Sequence, residues 1–307
     1  MADLKPDSIM EDIKSGKYVQ ENMLILLFNK LKDLLLLENN IVELASPITI
    51  VGDIHGQLYD MLQMFDKSNS NPLRGNKFLF LGDYVDRGRN SIETFSFLAS
   101  MKVKFPKQVF LLRGNHECRQ INQAYGFYSE IMQKYGHSGL WTLCNQIFDL
   151  LPVSSVIDNK LFCVHGGLSP KIKHIEAIEL LNRNGELPTS GPLCDLCWSD
   201  PDSDSAEWKL NERGAGYQFG MNQVNEFCKM NSIDCIVRSH QLVQEGYHWY
   251  FGNKLVTIWS APNYMYRAGN KAVYMRYEQG QEPSFVFFEP SPKSNTVDTI
   301  SESSYFA

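Results

Sequence analysis

Five short clusters gather residue types that bind metal ions. Asp53 and His55 lie in GDIHGQ, Asp83 and Asp86 in GDYVDRG, Asn115 and His116 in RGNHE, His165 in HGGLSP and His240 in RSHQ. Four of the seven histidines are thus placed beside glycine or a carboxylate. A single histidine is usually a satisfied core residue, but four in such settings call for a shared cause. In an extended Asp53-x-His55 the two heads point to the same side and can reach one ion. Asp83 and Asn115 begin their clusters in the same way. Nitrogen and oxygen donors without thiolate suit manganese, iron or zinc better than an all-oxygen calcium cage. Two such ions bridged by a carboxylate would lower the pKa of a water between them and aim it at phosphorus. Arg87, between Asp86 and Gly88, could grip phosphate oxygens with its planar fork. Arg213, in RGAGY, could do the same, though taken alone it is equally well a solvated surface residue.

The elements that must hold these groups are legible around them. Apolar runs over 48–51, 78–81, 109–112, 161–164, 236–237 and 256–259 each end in one of the polar clusters or in SAPNY. They read as buried strands, with further strands over 272–277 and 285–288. Helical spacing of Met23, Leu27, Leu31, Leu34 and Leu35 predicts an amphipathic helix. Leu58, Met61, Leu62 and Phe65 predict a second, and Ile92, Phe95, Leu98 and Met101 a third. Strands alternating with helices imply an α/β fold, whose ligands gather past the carboxyl ends of strands. The expected organisation is one catalytic domain over 1–290 and a flexible tail over 291–307, where SPKSNTVDTISESSYFA lacks core-forming residues.

With 307 residues and 43% hydrophobic content, the chain can bury a large core. Its net charge of −6, without long runs of one sign, argues against nucleic acid as a partner. The polar N-terminus resembles neither a signal nor a transit peptide, and its longest apolar run, 23–28, is too short for a bilayer. Seven cysteines, an odd number, suggest reduced thiols and a cytoplasmic or nuclear setting. Cys194 and Cys197 form one CxxC, which lacks the second pair a zinc ribbon needs.

GDIHGQ, GDYVDRG and RGNHE, in this order and about thirty residues apart, resemble the signature of the PPP family of serine/threonine protein phosphatases. HGGLSP, CDLCWSDP, RGAGY, SHQ and SAPNY continue the match over roughly 20–290, and YGFYSE and QLVQEGY look most like its type 2A group (types 2A, 4 and 6). The resemblance implies a calcineurin-like metallophosphoesterase fold: two packed mixed β-sheets flanked by helices, with a di-metal site at strand C-terminal ends. It implies that Asp53 and His55 bind one ion, that Asp83 bridges, and that Asn115, His165 and His240 complete the second. The expected cofactors are two divalent ions, with manganese in purified protein and iron or zinc as alternatives. His116 would be the general acid, oriented by Asp86. Arg87, Arg213 and Asn115 would bind phosphate, and Tyr264 of SAPNY would line the site from a mobile loop. Attack would come directly from a metal-bridging hydroxide. The implied partners are phosphoprotein substrates with scaffold and regulatory subunits.

The sequence departs from the type 2A pattern at Cys118, where that group has Ser, and at Arg89-Asn90, where it has an aromatic pair. It departs again at Met265 and Ala268, where the group has Cys. It ends in Ala307, where the group has a Leu that is carboxyl-methylated. Two rival readings stay open. Another metallophosphoesterase, such as a dinucleoside polyphosphate hydrolase or nuclease, shares the D-x-H, GD-x-x-D and GNH core but lacks RGAGY and SAPNY. A non-catalytic docking subunit would show a broken ligand position, and every position is filled.

Overall fold

In a computed structural model, residues 4–67 and 76–295 are described. Two mixed sheets pack face to face. The five-stranded sheet runs β14-β13-β2-β3-β4, from Ser284–Phe288, Ala272–Tyr277, Ile48–Val51, Lys77–Phe80 and Val109–Leu111. Its β2, β3 and β4 are mutually parallel, and β13 and β14 are antiparallel additions. The six-stranded sheet runs β1-β5-β6-β10-β12-β11, from Ile41–Leu44, Ser154–Ile157, Leu161–Val164, Cys235–Arg238, Leu255–Ile258 and Tyr247–Tyr250. There β6, β10 and β12 are parallel.

The side-chain period of two along each strand divides the core. Ile50, Leu79, Cys163, Val237 and Val256 face inward between the sheets. Their neighbours Val51, Phe78 and Phe80 face out against α1 (Pro6–Lys14), α2 (Glu21–Leu35), α3 (Leu58–Lys67), α4 (Ser91–Lys104), α6 (Phe127–Tyr135) and α7 (Gly139–Phe148), whereas α5 (Arg119–Ala124) sends Ile121 to the core on the other sheet. On the other sheet Phe162, Val164, Ile236 and Leu255 face α8 (Pro192–Trp198), α9 (Met221–Asn231) and a 3-10 segment at Ile175–Leu180. Strands covered on both faces read as continuous apolar runs, which is why they stood out in the sequence.

The first expected helix is α2, Glu21–Leu35, but its buried stripe is Leu24, Leu27, Phe28, Leu31 and Leu35. Met23 and Leu34 lie at its margin. The other two expected helices are α3, Leu58–Lys67, and α4, Ser91–Lys104. A small sheet, β7-β9-β8 (Asp200–Pro201, Tyr217–Phe219, Lys209–Leu210), is joined to the end of β10 through the Arg238–Asp200 pair. The seven cysteines are all buried free thiols, Cys194 and Cys197 among them, and burial pushes the Cys194 thiol up to about 11. No described helix is long and apolar enough to cross a membrane.

The body does not end at 290. Ser291–Ser294 turn back onto α3, with Ser291 and Ser294 both buried. The start of the expected tail is therefore packed, and residues 296–307, with Ala307, lie outside the described residues.

Candidate dinuclear metal site

The parallel strands of both sheets point their carboxyl ends at one rim. From β2 the chain supplies Asp53 and His55, from β3 Asp83, and from β4 Asn115 and His116. From β6 comes His165, and from β10 His240. The two sheets meet here through the pairing of Asp53 with Trp259.

Turning sharply off a strand end while aiming a side chain inward requires unusual backbone. His55, Asp83, Asp86, Arg87 and His240 all have positive φ, as do Asn263, Met265 and Tyr266 in the adjoining loop. Such conformations each cost about 1–3 kcal/mol and survive only where the surroundings over-determine them. Two glycines allow the approach. A Cβ on Gly114 would lie 2.3 Å from the Asp83 carboxylate, and one on Gly82 would lie 2.5 Å from the Gly114 nitrogen.

Two sets of donors converge. His55 Nε2 lies 3.5 Å from Asp53 Oδ2 and 3.4 Å from Asp83 Oδ2. On the other side, Asn115 Oδ1 is 2.9 Å from both His165 Nε2 and His240 Nδ1, and Asp83 Oδ1 is 3.4 Å from His165 Nε2. Asp83 therefore reaches both sets, one oxygen to each.

Tautomers follow from the partners. His55 Nδ1 must donate to the Val85 carbonyl at 2.9 Å, and His165 Nδ1 to the Leu81 carbonyl at 3.0 Å. Each leaves its Nε2 toward the cluster. Burial, with His165, Arg213 and Arg238 nearby, holds His240 down at about 3 despite Asp200, so its ring is neutral.

These groups fit cations. Asp53 and Asp83 are fully enclosed, and among the described residues no Lys or Arg pairs with them. On the cluster side Asp53 Oδ2 is buried without a hydrogen-bond partner. Against burial, Asp53 and Asp83 hold His55 up at about 9 and raise His165 as well, which reflects the concentrated negative charge of the two enclosed carboxylates. Imidazole lone pairs and carboxylate and amide oxygens that face one another this closely repel unless a proton or a metal ion lies between them.

His116 sits differently. Its Nδ1 donates to Asp86 Oδ2 at 2.6 Å. Asp86 is itself fixed by the Phe127 N–H at 2.9 Å. The opposite nitrogen faces the cluster, 3.9 Å from Asp83 Oδ2. His116 is thus also within a metal's reach of His55 and Asp83.

The expected phosphate grips flank the donors. Arg87 lays its guanidinium 4.1 Å over the Tyr125 ring, and its Nε is buried without a partner. Arg213 is exposed, but its Nε donates to Asp200 Oδ2 at 2.8 Å, which ties it to the rim. Tyr264 packs its ring 5.2 Å from that of His55 and 4.9 Å from that of Trp259. The loop carrying it, expected to be mobile, is anchored: Asn270 accepts the Tyr264 N–H at 2.7 Å and Gln57 the Met265 N–H at 3.1 Å. Tyr266 stacks under Arg89 at 4.4 Å and accepts its N–H, so the Arg89 departure from the type 2A pattern has a partner.

Two residues that hold the donors in place escaped the sequence reading. Asp200 places Oδ1 3.8 Å from His240 Nε2 and accepts the buried Arg238 at 2.8 Å. Despite burial, His240, Arg238 and Arg213 hold its carboxyl well below the usual range. Glu117 accepts the N–H groups of Asp83, Tyr84 and Gly114 at 2.7, 2.9 and 3.0 Å, which fixes the turn that presents Asp83. Burial and Asp83 push its carboxyl up to about 8 against those donors. Both stood inside quoted motifs, WSDP and RGNHE, as acids in otherwise apolar or glycine-rich settings.

Residues 46–244 match the calcineurin-like phosphoesterase model, and the chain belongs to that family. Within it the likeness is to serine/threonine phosphatases. The chain is 46% identical over 286 residues to the serine/threonine-protein phosphatase 4 catalytic subunit of Kluyveromyces lactis, covering 93% of this chain and 92% of that one. A solved serine/threonine phosphatase from Saccharomyces cerevisiae, described as similar to human phosphatase PP5, superposes with a TM-score of 0.85 at 29% identity. That match covers 93% of this chain and 96% of the other. A cold-active protein-tyrosine phosphatase of a Shewanella species shares the fold alone, with a TM-score of 0.58 and 15% identity over 80% of this chain and 83% of that one. The chain is thus a serine/threonine phosphatase catalytic-subunit homologue on a metallophosphoesterase fold.

Proposed function

We propose that this chain is the catalytic subunit of a serine/threonine protein phosphatase, hydrolysing phosphoserine and phosphothreonine monoesters of proteins. The observation that carries the reading is Asp83 shared between two donor sets, beside the His116–Asp86 pair. Asp53, His55 and Asp83 would hold one divalent ion, and Asp83, Asn115, His165 and His240 the other. Bound there, such ions lower the pKa of water and neutralise phosphate charge. Manganese, iron and zinc all suit these donors.

The remaining work falls to the chain itself. Arg87 orients the phosphate, its guanidinium held in plane by Tyr125 and its Nε free to donate. Arg213 closes from the other side, aimed by Asp200. Asn115 supplies an amide at the same edge. In its doubly protonated form His116 gives the Nε2 proton to the departing serine or threonine oxygen, while Asp86 accepts the Nδ1–H and steadies the charged ring. Tyr264 walls the site beside His55 and limits water. Scaffold or regulatory subunits would select among phosphoproteins. The buried free thiols support a reducing compartment, cytoplasm or nucleus.

The test is turnover of a phosphothreonine peptide and of a dinucleoside polyphosphate by protein stripped with chelator and reloaded with manganese. Peptide turnover that returns with manganese is expected. Hydrolysis of the nucleotide alone would replace the reading with that of another metallophosphoesterase, and no turnover of either with both ions bound would point to a docking subunit.

A further inference from the structure

Behind the site a chain of hydrogen bonds runs from the C-terminal segment to the Tyr264 loop. Asp60, on α3, is buried, and its Oδ1 accepts both the Ser291 N–H at 2.6 Å and the Ser294 hydroxyl at 2.7 Å. Its Oδ2 accepts Gln57 Nε2 at 2.8 Å. The same Gln57 nitrogen donates to the Pro262 carbonyl at 2.8 Å, and its Oε1 accepts the Met265 N–H at 3.1 Å. Gln57 is also buried, so its amide has a single orientation that satisfies both contacts.

The loop these bonds grip is held in costly geometry. Asn263, Met265 and Tyr266 all have positive φ. Non-glycine residues stay in that region only while outside contacts hold them. Gln57 supplies two such contacts, on either side of Tyr264, and Asp60 fixes Gln57. On the far side, Asp60 is ordered by residues that come after the last strand of the fold. Gln63 donating to the Glu289 carbonyl and Lys293 over the Tyr59 ring at 5.6 Å fasten the same segment to α3.

We propose that Gln57 and Asp60 are positioning residues and that 291–295 is the outer part of their clamp, so that docking of the C-terminal segment sets Tyr264 against the metal site and thereby the rate of phosphate ester hydrolysis. None of these residues touches substrate. The effect on turnover rests on the phosphatase reading above, whereas the effect on the loop does not.

The experiment compares three chains: full length, ending at Asn295, and ending at Glu289. Hydrogen exchange of the peptide spanning 262–268 should be unchanged in the chain ending at Asn295. It should rise about tenfold in the one ending at Glu289, the size expected for loss of one or two hydrogen bonds. Turnover of para-nitrophenyl phosphate should fall about three- to tenfold only in the shorter chain, with ion content unchanged. Ser294→Ala should reproduce part of the loss and Ser294→Thr restore it. In a Gln57→Ala background the truncation should add nothing further, because the two act through one relay. Equal exchange and equal turnover in the two truncated chains would overturn the clamp, and so would additive losses with Gln57→Ala. If the full-length chain hydrolyses no phosphate ester, the functional reading fails, while the exchange comparison still decides the clamp.

Discussion

The two sheets contribute to the metal site by different means. On the five-stranded side main-chain groups do most of the orienting, with Asp86 holding His116. His55 is set by the Val85 carbonyl, Asp83 by a left-handed turn whose N–H groups bind Glu117, and His116 approaches through an N–H bond to Asp83 at 2.9 Å. On the six-stranded side, His165 follows the same rule, but His240 depends on side chains. Its outer nitrogen faces Asp200, which is gripped by Arg238 and Arg213 and accepts Asn211 at 2.9 Å. The first arrangement rests mainly on contacts with main-chain N–H and carbonyl groups of the strand ends and of the turns beside them. The second exists only once β7 and the RGAGY loop have packed against β10. Substitutions on the first side should therefore act by removing donors, and those on the second by loosening them.

Asp83 tests the extreme of this contrast, because it serves both sets. Asp83→Asn should lower the content of both ions and reduce turnover on the order of 10³-fold. Plasma mass spectrometry of the purified variant beside a phosphopeptide assay reads both quantities. Retention of two ions at full rate would end the bridging role.

His116→Asn comes next. It should keep both ions and lose ~10²–10⁴-fold on a phosphothreonine peptide, and much less on para-nitrophenyl phosphate, whose leaving group needs no proton. Because His116 also lies within reach of His55 and Asp83, loss of one ion on substitution would make it a ligand instead of an acid.

Asp200→Asn probes the side-chain-oriented half directly. Loss of such an outer carboxylate typically costs 10–100-fold in metal affinity or activity. The loss should fall on one of the two ions, seen as a single weakened step in a metal titration. Two equally weakened steps would mean that the two halves are not independent.

That asymmetry also explains what the sequence could and could not reveal. The runs at 48–51, 161–164 and 272–277 are strands with those same limits, because each is predominantly apolar and, apart from the exposed Arg276, buried on both faces. The donors directly after such strands could be picked out one by one. Strand β5 went unseen, since Ser154 and Ser155 are polar yet buried. Edge strands β1 and β11, only partly buried, gave weak patterns, and the helices over 119–148 are short. Asp200 sits in a two-residue strand, and its link to His240 spans forty positions of sequence. Its relation to the site is a product of tertiary packing, and so is the bond from Ser294 to Asp60.

The two arginines make the contrast between the halves quantitative, and one of them carries the smallest expected effect. Arg87 belongs to the five-stranded side. Its own backbone is left-handed, its N–H is bound to the Tyr125 carbonyl at 3.1 Å, and its guanidinium is stacked on that tyrosine's ring. Arg213 is exposed, with Asp200 as its anchor. Lysine keeps the charge but has neither the planar fork nor the stacking face. Arg87→Lys should therefore lose both its fixed direction and bidentate binding, about 30–100-fold in kcat/KM. Arg213→Lys can still pair with Asp200 and should lose about three- to tenfold, mostly through KM, since a flexible surface cation contributes more to capture than to the transition state. Steady-state kinetics on one phosphopeptide at fixed ionic strength reads both. If Arg213→Lys proves the more damaging of the two, the side-chain-oriented half of the rim is as rigid as the other, and the distinction between the sheets does not extend to substrate binding.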